Sequence, residues 1–168
     1  MPPIVHVSTA IIALLLGATV LATPKGTTWH RRLGAAYATS LLLANVGALT
    51  MTGDSGQFGA FQLLAVLSLG TLLVGLGLMR RRARTEQVIA THAIIMGFSY
   101  VGLVAAGLSQ LAAHAAPDHS ATAVLATSAG TFTLGALAIV TTIPRTLRSL
   151  SPTATNPHDE AASLRAHE

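Results

Sequence analysis

Five apolar runs, each near 20 residues and each separated from the next by a short polar link, constrain this chain more than any other feature. They cover about 4–22, 33–51, 58–79, 88–112 and 121–143. A helix rising ~1.5 Å per residue needs ~20 apolar residues to cross the hydrocarbon core of a bilayer. Backbone N–H and C=O groups find no water there, so a spanning segment that is not a closed barrel has to be helical. The expected fold is therefore all-α: a polytopic membrane bundle of five transmembrane helices occupying residues 1–144, followed by a disordered cytoplasmic tail, 145–168. That tail holds Pro152, Pro157, Ser and Thr and shows no apolar period.

Composition agrees with lipid as the solvent. Hydrophobic residues make up 51% and charged residues 10% of the 168, and mean hydropathy is +0.60. The formal charge of +4 could suggest nucleic acid, but the cations flank the apolar runs instead of forming a soluble face, so no nucleic-acid partner is expected. Lys25, Arg31 and Arg32 follow the first run; Arg80, Arg81, Arg82 and Arg84 follow the third; Arg145 and Arg148 follow the fifth. The segment before the first run and the links 52–57 and 114–120 contain no Lys or Arg. By the positive-inside rule the N-terminus lies outside and the C-terminus inside. The first run ends in Val20-Leu21-Ala22, which is shaped like a signal-peptide cleavage site. No basic residue precedes it, so it reads as a retained span.

The absence of cysteine excludes disulfides, thiolate metal sites and a cysteine nucleophile. No Asp or Glu lies inside a run, which argues against a carboxylate proton relay. No phosphate-binding loop or nucleophile elbow is present, and no broken span suggests a transporter. Asn45, Gln62, Ser99 and Gln110 are polar positions suited to helix-to-helix hydrogen bonds. Gly70, Gly75 and Gly77, then Gly97, Gly102 and Gly107, then Ala126 with Gly130, mark candidate close contacts.

Histidine remains as the residue type able to carry chemistry. Of seven, His158 and His167 fall in the tail. The topology places His6 near the outer end of the first span and His114 and His119 at the outer side of the fourth. His30 and His92 fall at the inner ends of the second and fourth spans. His6 and His30 cannot share one small metal centre across a membrane. Imidazole is a common metal ligand and an axial ligand of haem. An inner pair His30 and His92, with Arg31, Arg32 and the 80–84 cluster to neutralise propionates, suits haem b or a transition metal. Gly34 would leave room beside a flat ring, Met96 would offer a thioether, and Tyr37 and Tyr100, seven or eight residues beyond each histidine, would hydrogen-bond a bound group.

His6, Gly17, His30-Arg31-x-x-Gly34-x-x-Tyr37 and His92-x-x-x-Met96-x-x-Ser99-Tyr100 together resemble a bacterial family of small predicted membrane proteins, domain of unknown function 2306, over about 4–107. The resemblance implies a helical membrane bundle with notable histidines His6, His30 and His92, and it implies no reaction. Ala35, Ile95 and Gly97 stand where such proteins often carry basic or aromatic residues. The leading expectation is a metal or haem b centre held by His30 and His92 for electron transfer, with His6, Tyr37, Tyr100 and Met96 as further cofactor-binding candidates. Its rival is a cofactor-free structural or assembly partner, docked in the bilayer on another membrane protein or on itself as a homo-oligomer.

Overall fold

In the computed structural model the described residues are 3–51, 60–80 and 85–150, with side chains in the last helix described to residue 142. The 52–57 link, Arg81, Arg82 and Arg84, and the tail histidines lie outside them. Five long helices follow in order: α1 Pro3–Ala22, α2 Thr28–Thr50, α3 Ala60–Met79, α4 Glu86–Ala115 and α5 Ser120–Leu150, with a single 3-10 turn, Pro117–His119, before α5. All five contain a stretch long and apolar enough to cross a membrane.

The basic end of the bundle, where α1 ends and α2 and α4 begin, is shaped by local chemistry. Gly26, at φ 80°, turns the chain between α1 and α2. Thr27 Oγ1 accepts from the backbone N–H of His30 at 3.0 Å, and Thr85 Oγ1 accepts from that of Val88 at 3.3 Å, so α2 and α4 both open on a threonine N-cap. Lys25 Nζ donates to the Val20 and Leu21 carbonyls at 3.1 and 2.7 Å, closing the C-terminus of α1 where the helix dipole favours a cation. Partial burial there holds the Lys25 ammonium below its ordinary pKa.

Sequential helices pack as neighbours, and α1 also touches α4, so the first four close into a ring. Among the described residues α2 and α4 make no backbone contact and stand diagonally across that ring, while α5 lies outside it, against α4 and the turn before it. The interior is built from Ala13, Tyr37, Ala38, Leu41 and Leu72, flanked by Leu16, Val20, Leu76, Met96, Tyr100 and Leu103. Large aliphatics such as Leu15, Leu125, Leu134 and Val140 face outward, where lipid replaces water.

Polar groups in the spans are tied off. Asn45 Nδ2 donates to Ser68 Oγ at 3.0 Å between α2 and α3, Gln62 Nε2 donates to the Met51 carbonyl, and Ser109 and Ser128 share a hydrogen bond of 2.8 Å between α4 and α5. Thr9, Thr19, Thr39, Thr133 and Thr141 return their hydroxyls to carbonyls one turn back. Asn45, Gln62 and Ser99 thus serve helix contacts, as the sequence leads one to expect, whereas Gln110 is exposed.

Two boundaries differ from expectation. α5 does not stop at Pro144 but runs to Leu150, so residues 145–150 are helical; 151–168 lie outside the described residues. Proline removes one bond and crowds the carbonyl a turn back, yet a helix leaving a span can expose that carbonyl to interfacial water and continue. The close contact of α5 is also not at Ala126 and Gly130. It runs through Ser128 and through Gly135, whose added Cβ would meet Val101.

Candidate functional site

The alignment of α2 with α4 follows from one bond. Tyr37 Oη and Ser99 Oγ lie 3.3 Å apart across the ring, linking residues 62 apart in sequence. His30 and His92 have the same separation, each seven residues earlier. Seven residues are nearly two turns, so each histidine lies on the same helix face as the bonded residue beyond it, about 10.5 Å nearer the inner end. The two imidazoles therefore lie at the same level of the bundle, on α2 and on α4. Charges on the two rings would repel one another, as would those on His30 and Lys25.

The His92 ring is oriented by a backbone carbonyl of a neighbouring helix. His92 Nδ1 is 2.8 Å from the Gly75 oxygen, and because a carbonyl only accepts, Nδ1 carries the hydrogen, which in the neutral ring leaves the lone pair on Nε2. His30 lies against the Val20 carbonyl, and its Nδ1 is buried with no hydrogen-bond partner. A histidine held by a carbonyl through one nitrogen, as His92 is by Gly75, has an arrangement found around bound metals.

The rung between these two pairs is asymmetric. Met96 stands level with Gly34 by the same shift of 62, and a Cβ added at Gly34 would meet nothing within 4 Å. The Met96 sulfur rests over Gly75, where a Cβ would stand 2.6 Å from it. So His92 and Met96, one turn apart on α4, both settle on the one α3 residue that lacks a side chain there.

The outward end of this ladder is closed by aromatics. Tyr37 is 2% exposed, its ring centroid is 6.4 Å from that of Tyr100, and the rings meet at 59°. Both lie on Gly17 of α1, where an added Cβ would collide with the Tyr100 ring. The Tyr37 hydroxyl is engaged by Ser99 and is not free for a ligand.

The structure thus places His92 and Met96 together on Gly75 of α3 and His30 at the level of His92 on α2, with Tyr37 and Tyr100 packed on Gly17 further along the bundle. His6 stands apart. Its Nδ1 donates to the Ala44 carbonyl at 2.9 Å, and some 14 residues of α1, about 21 Å, separate it from Val20 beside His30. His114 and His119 are exposed at that outer end. Among the described residues no group of three or more His, Cys, Asp or Glu side chains gathers as a metal cluster. Sequence reasoning missed the carbonyls of Gly75 and Val20, since a backbone acceptor on another helix leaves no residue-type signal.

Four helices in a ring and a fifth packed against α4, each with a stretch long and apolar enough to cross a membrane, define a multi-pass α-helical membrane protein. Residues 3–144 match the model of a family described as predicted membrane protein (DUF2306), and the chain belongs to that family. No curated protein matches the chain, and no solved structure does.

Proposed function

We propose that His30 and His92 hold a transition-metal centre, a haem b iron or a bare ion, at the cytoplasmic face of the bacterial inner membrane, and that the centre serves electron transfer. The observation behind this reading is the buried, partnerless Nδ1 of His30, at the same level as a histidine already oriented by Gly75. A buried nitrogen without a partner costs about 1–3 kcal/mol, a cost that a ligand would remove. Haem b would supply one-electron iron chemistry; His30 and His92 would hold it, Gly34 leaves open space one turn away, and the exposed Arg31 and Arg32 would supply positive charge for its carboxylates. The test is purification in detergent from haem-replete, metal-replete cells, with an absorption spectrum and elemental analysis. A Soret band or one metal per chain, lost in H30A and in H92A, is expected; neither band nor metal in the parent chain overturns the reading.

A cofactor-free assembly partner is the second reading. It is favoured by an apolar groove on the outer face of α3 and α4, lined by Val66, Leu67, Gly70, Val74 and Ile95, which a helix of another membrane protein would fill. Unchanged stability and unchanged activity of the host pathway in the double variant H30A/H92A would support it.

A further inference from the structure

The donor set at the inner face differs from that of most protein metal sites in carrying no anion. Among the described residues the acids are Glu86 and Asp118; Glu86 is exposed at the start of α4 and Asp118 lies in the outer turn. Lys25 adds a positive charge near His30. An ion bound here would keep its full charge in a weakly polar interior, so each unit of charge beyond the first raises the cost. The available ligands are two neutral imidazoles and, one turn from His92, the Met96 thioether. Imidazole with thioether is a soft set that suits Cu(I) and serves hard divalent ions poorly.

Gly75 and Gly34 give the third donor its position. Gly75 has no side chain to keep the Met96 sulfur away from α3, and Gly34 leaves open space on the α2 side at that level. The sulfur is a turn outward of His92 on the same face, and Nε2 of His92 and Nδ1 of His30 are the nitrogens left uncommitted.

We infer that this site, which rests on the bis-imidazole reading above, is a three-donor Cu(I) site in which Met96 supplies a thioether ligand alongside His30 and His92. The probe is Cu(I) itself, added anaerobically to detergent-purified protein in competition with a chromophoric Cu(I) chelator, with Zn(II) titrated in parallel. One Cu(I) per chain is expected, held at least 100-fold more tightly than Zn(II), with a sulfur scatterer in the copper X-ray absorption spectrum. M96I keeps the side-chain volume, so it should fold with an unchanged elution profile and weaken Cu(I) at least tenfold while leaving Zn(II) within twofold. Should M96I perturb folding, the sulfur scatterer in the parent chain decides the matter: its absence overturns the role of Met96. Haem uptake, or Zn(II) binding as tight as Cu(I), overturns the copper assignment and leaves the histidine pair standing as a metal site. Failure of haem, Cu(I) and Zn(II) alike overturns both.

Discussion

At the scale of single residues, two glycines of one motif set do opposite things. Gly17 is a contact surface: both tyrosine rings lie on it, so a methyl group there has to push rigid aromatic atoms aside. Overpacking of this kind costs about 1–3 kcal/mol, and G17A should lower the thermal midpoint in detergent accordingly. Gly34 faces open space, so G34A should be neutral or should stabilise by about 0.5–1 kcal/mol through helix propensity. Equal destabilisation by both changes would show that the tyrosine layer does not rest on α1. The Tyr37–Ser99 bond is a separate residue-scale claim. In a double-mutant cycle of Y37F with S99A, a coupling of about 0.6 kcal/mol is expected, in keeping with hydrogen bonds inside membranes; zero coupling would mean that another interaction aligns α2 with α4. In the sequence, Tyr37 and Ser99 were visible as motif members, and Gly34 as a place for open space. That Tyr37 would bond Ser99, 62 residues away, was not legible, because the pairing depends on how diagonal helices are levelled and neither local spacing nor hydropathy encodes that.

At the scale of elements, the fifth helix differs from the other four. It contributes nothing to the ring and rests on α4 through Ser109–Ser128 at one level and through Gly97 against Ile139 and Gly135 against Val101 at others. The chain has no cysteine of its own, so a paired replacement reads this contact directly. Two hydroxyl oxygens 2.8 Å apart imply Cβ positions within reach of a disulfide, and S109C/S128C should oxidise to an intramolecular bridge. Adding G135L, which drives a bulky group into Val101, should cut the yield of that bridge while the inner-face site of α2 and α4 keeps its properties. An unchanged yield would place the α4–α5 contact elsewhere. Helix number and approximate limits were legible here, since apolar length is a property of each segment alone. Which face of α5 meets α4 was not: Ala126 and Gly130 are as small as Gly135, and a helix apolar on most sides gives no sign of which small residues face protein and which face lipid.

At the scale of the whole molecule, the arrangement depends on which way the bundle sits in the membrane. Trp29, 61% exposed at the start of α2, lies among Lys25, Arg31 and Arg32, the mixture of aromatic and basic side chains expected where helices meet headgroups on the cytoplasmic side. The opposite end carries Asp118, His114 and His119 and no Lys or Arg among its described residues. If the cations face the cytoplasm, the His30–His92 pair opens toward soluble reductants and the cytoplasmic metal pool. If they face outward, the same pair would have to be served from the other compartment, and the proposed function would need a different donor. Single cysteines in this cysteine-free chain separate the two cases. T28C, at an exposed position beside the histidine pair, should resist a membrane-impermeant maleimide in intact cells and react once the inner membrane is opened; D118C should react in intact cells. The reverse pattern would invert the topology and move the electron source to the outer face, while leaving the register that levels His30 with His92 untouched, because that register is set within the bundle by Tyr37 and Ser99.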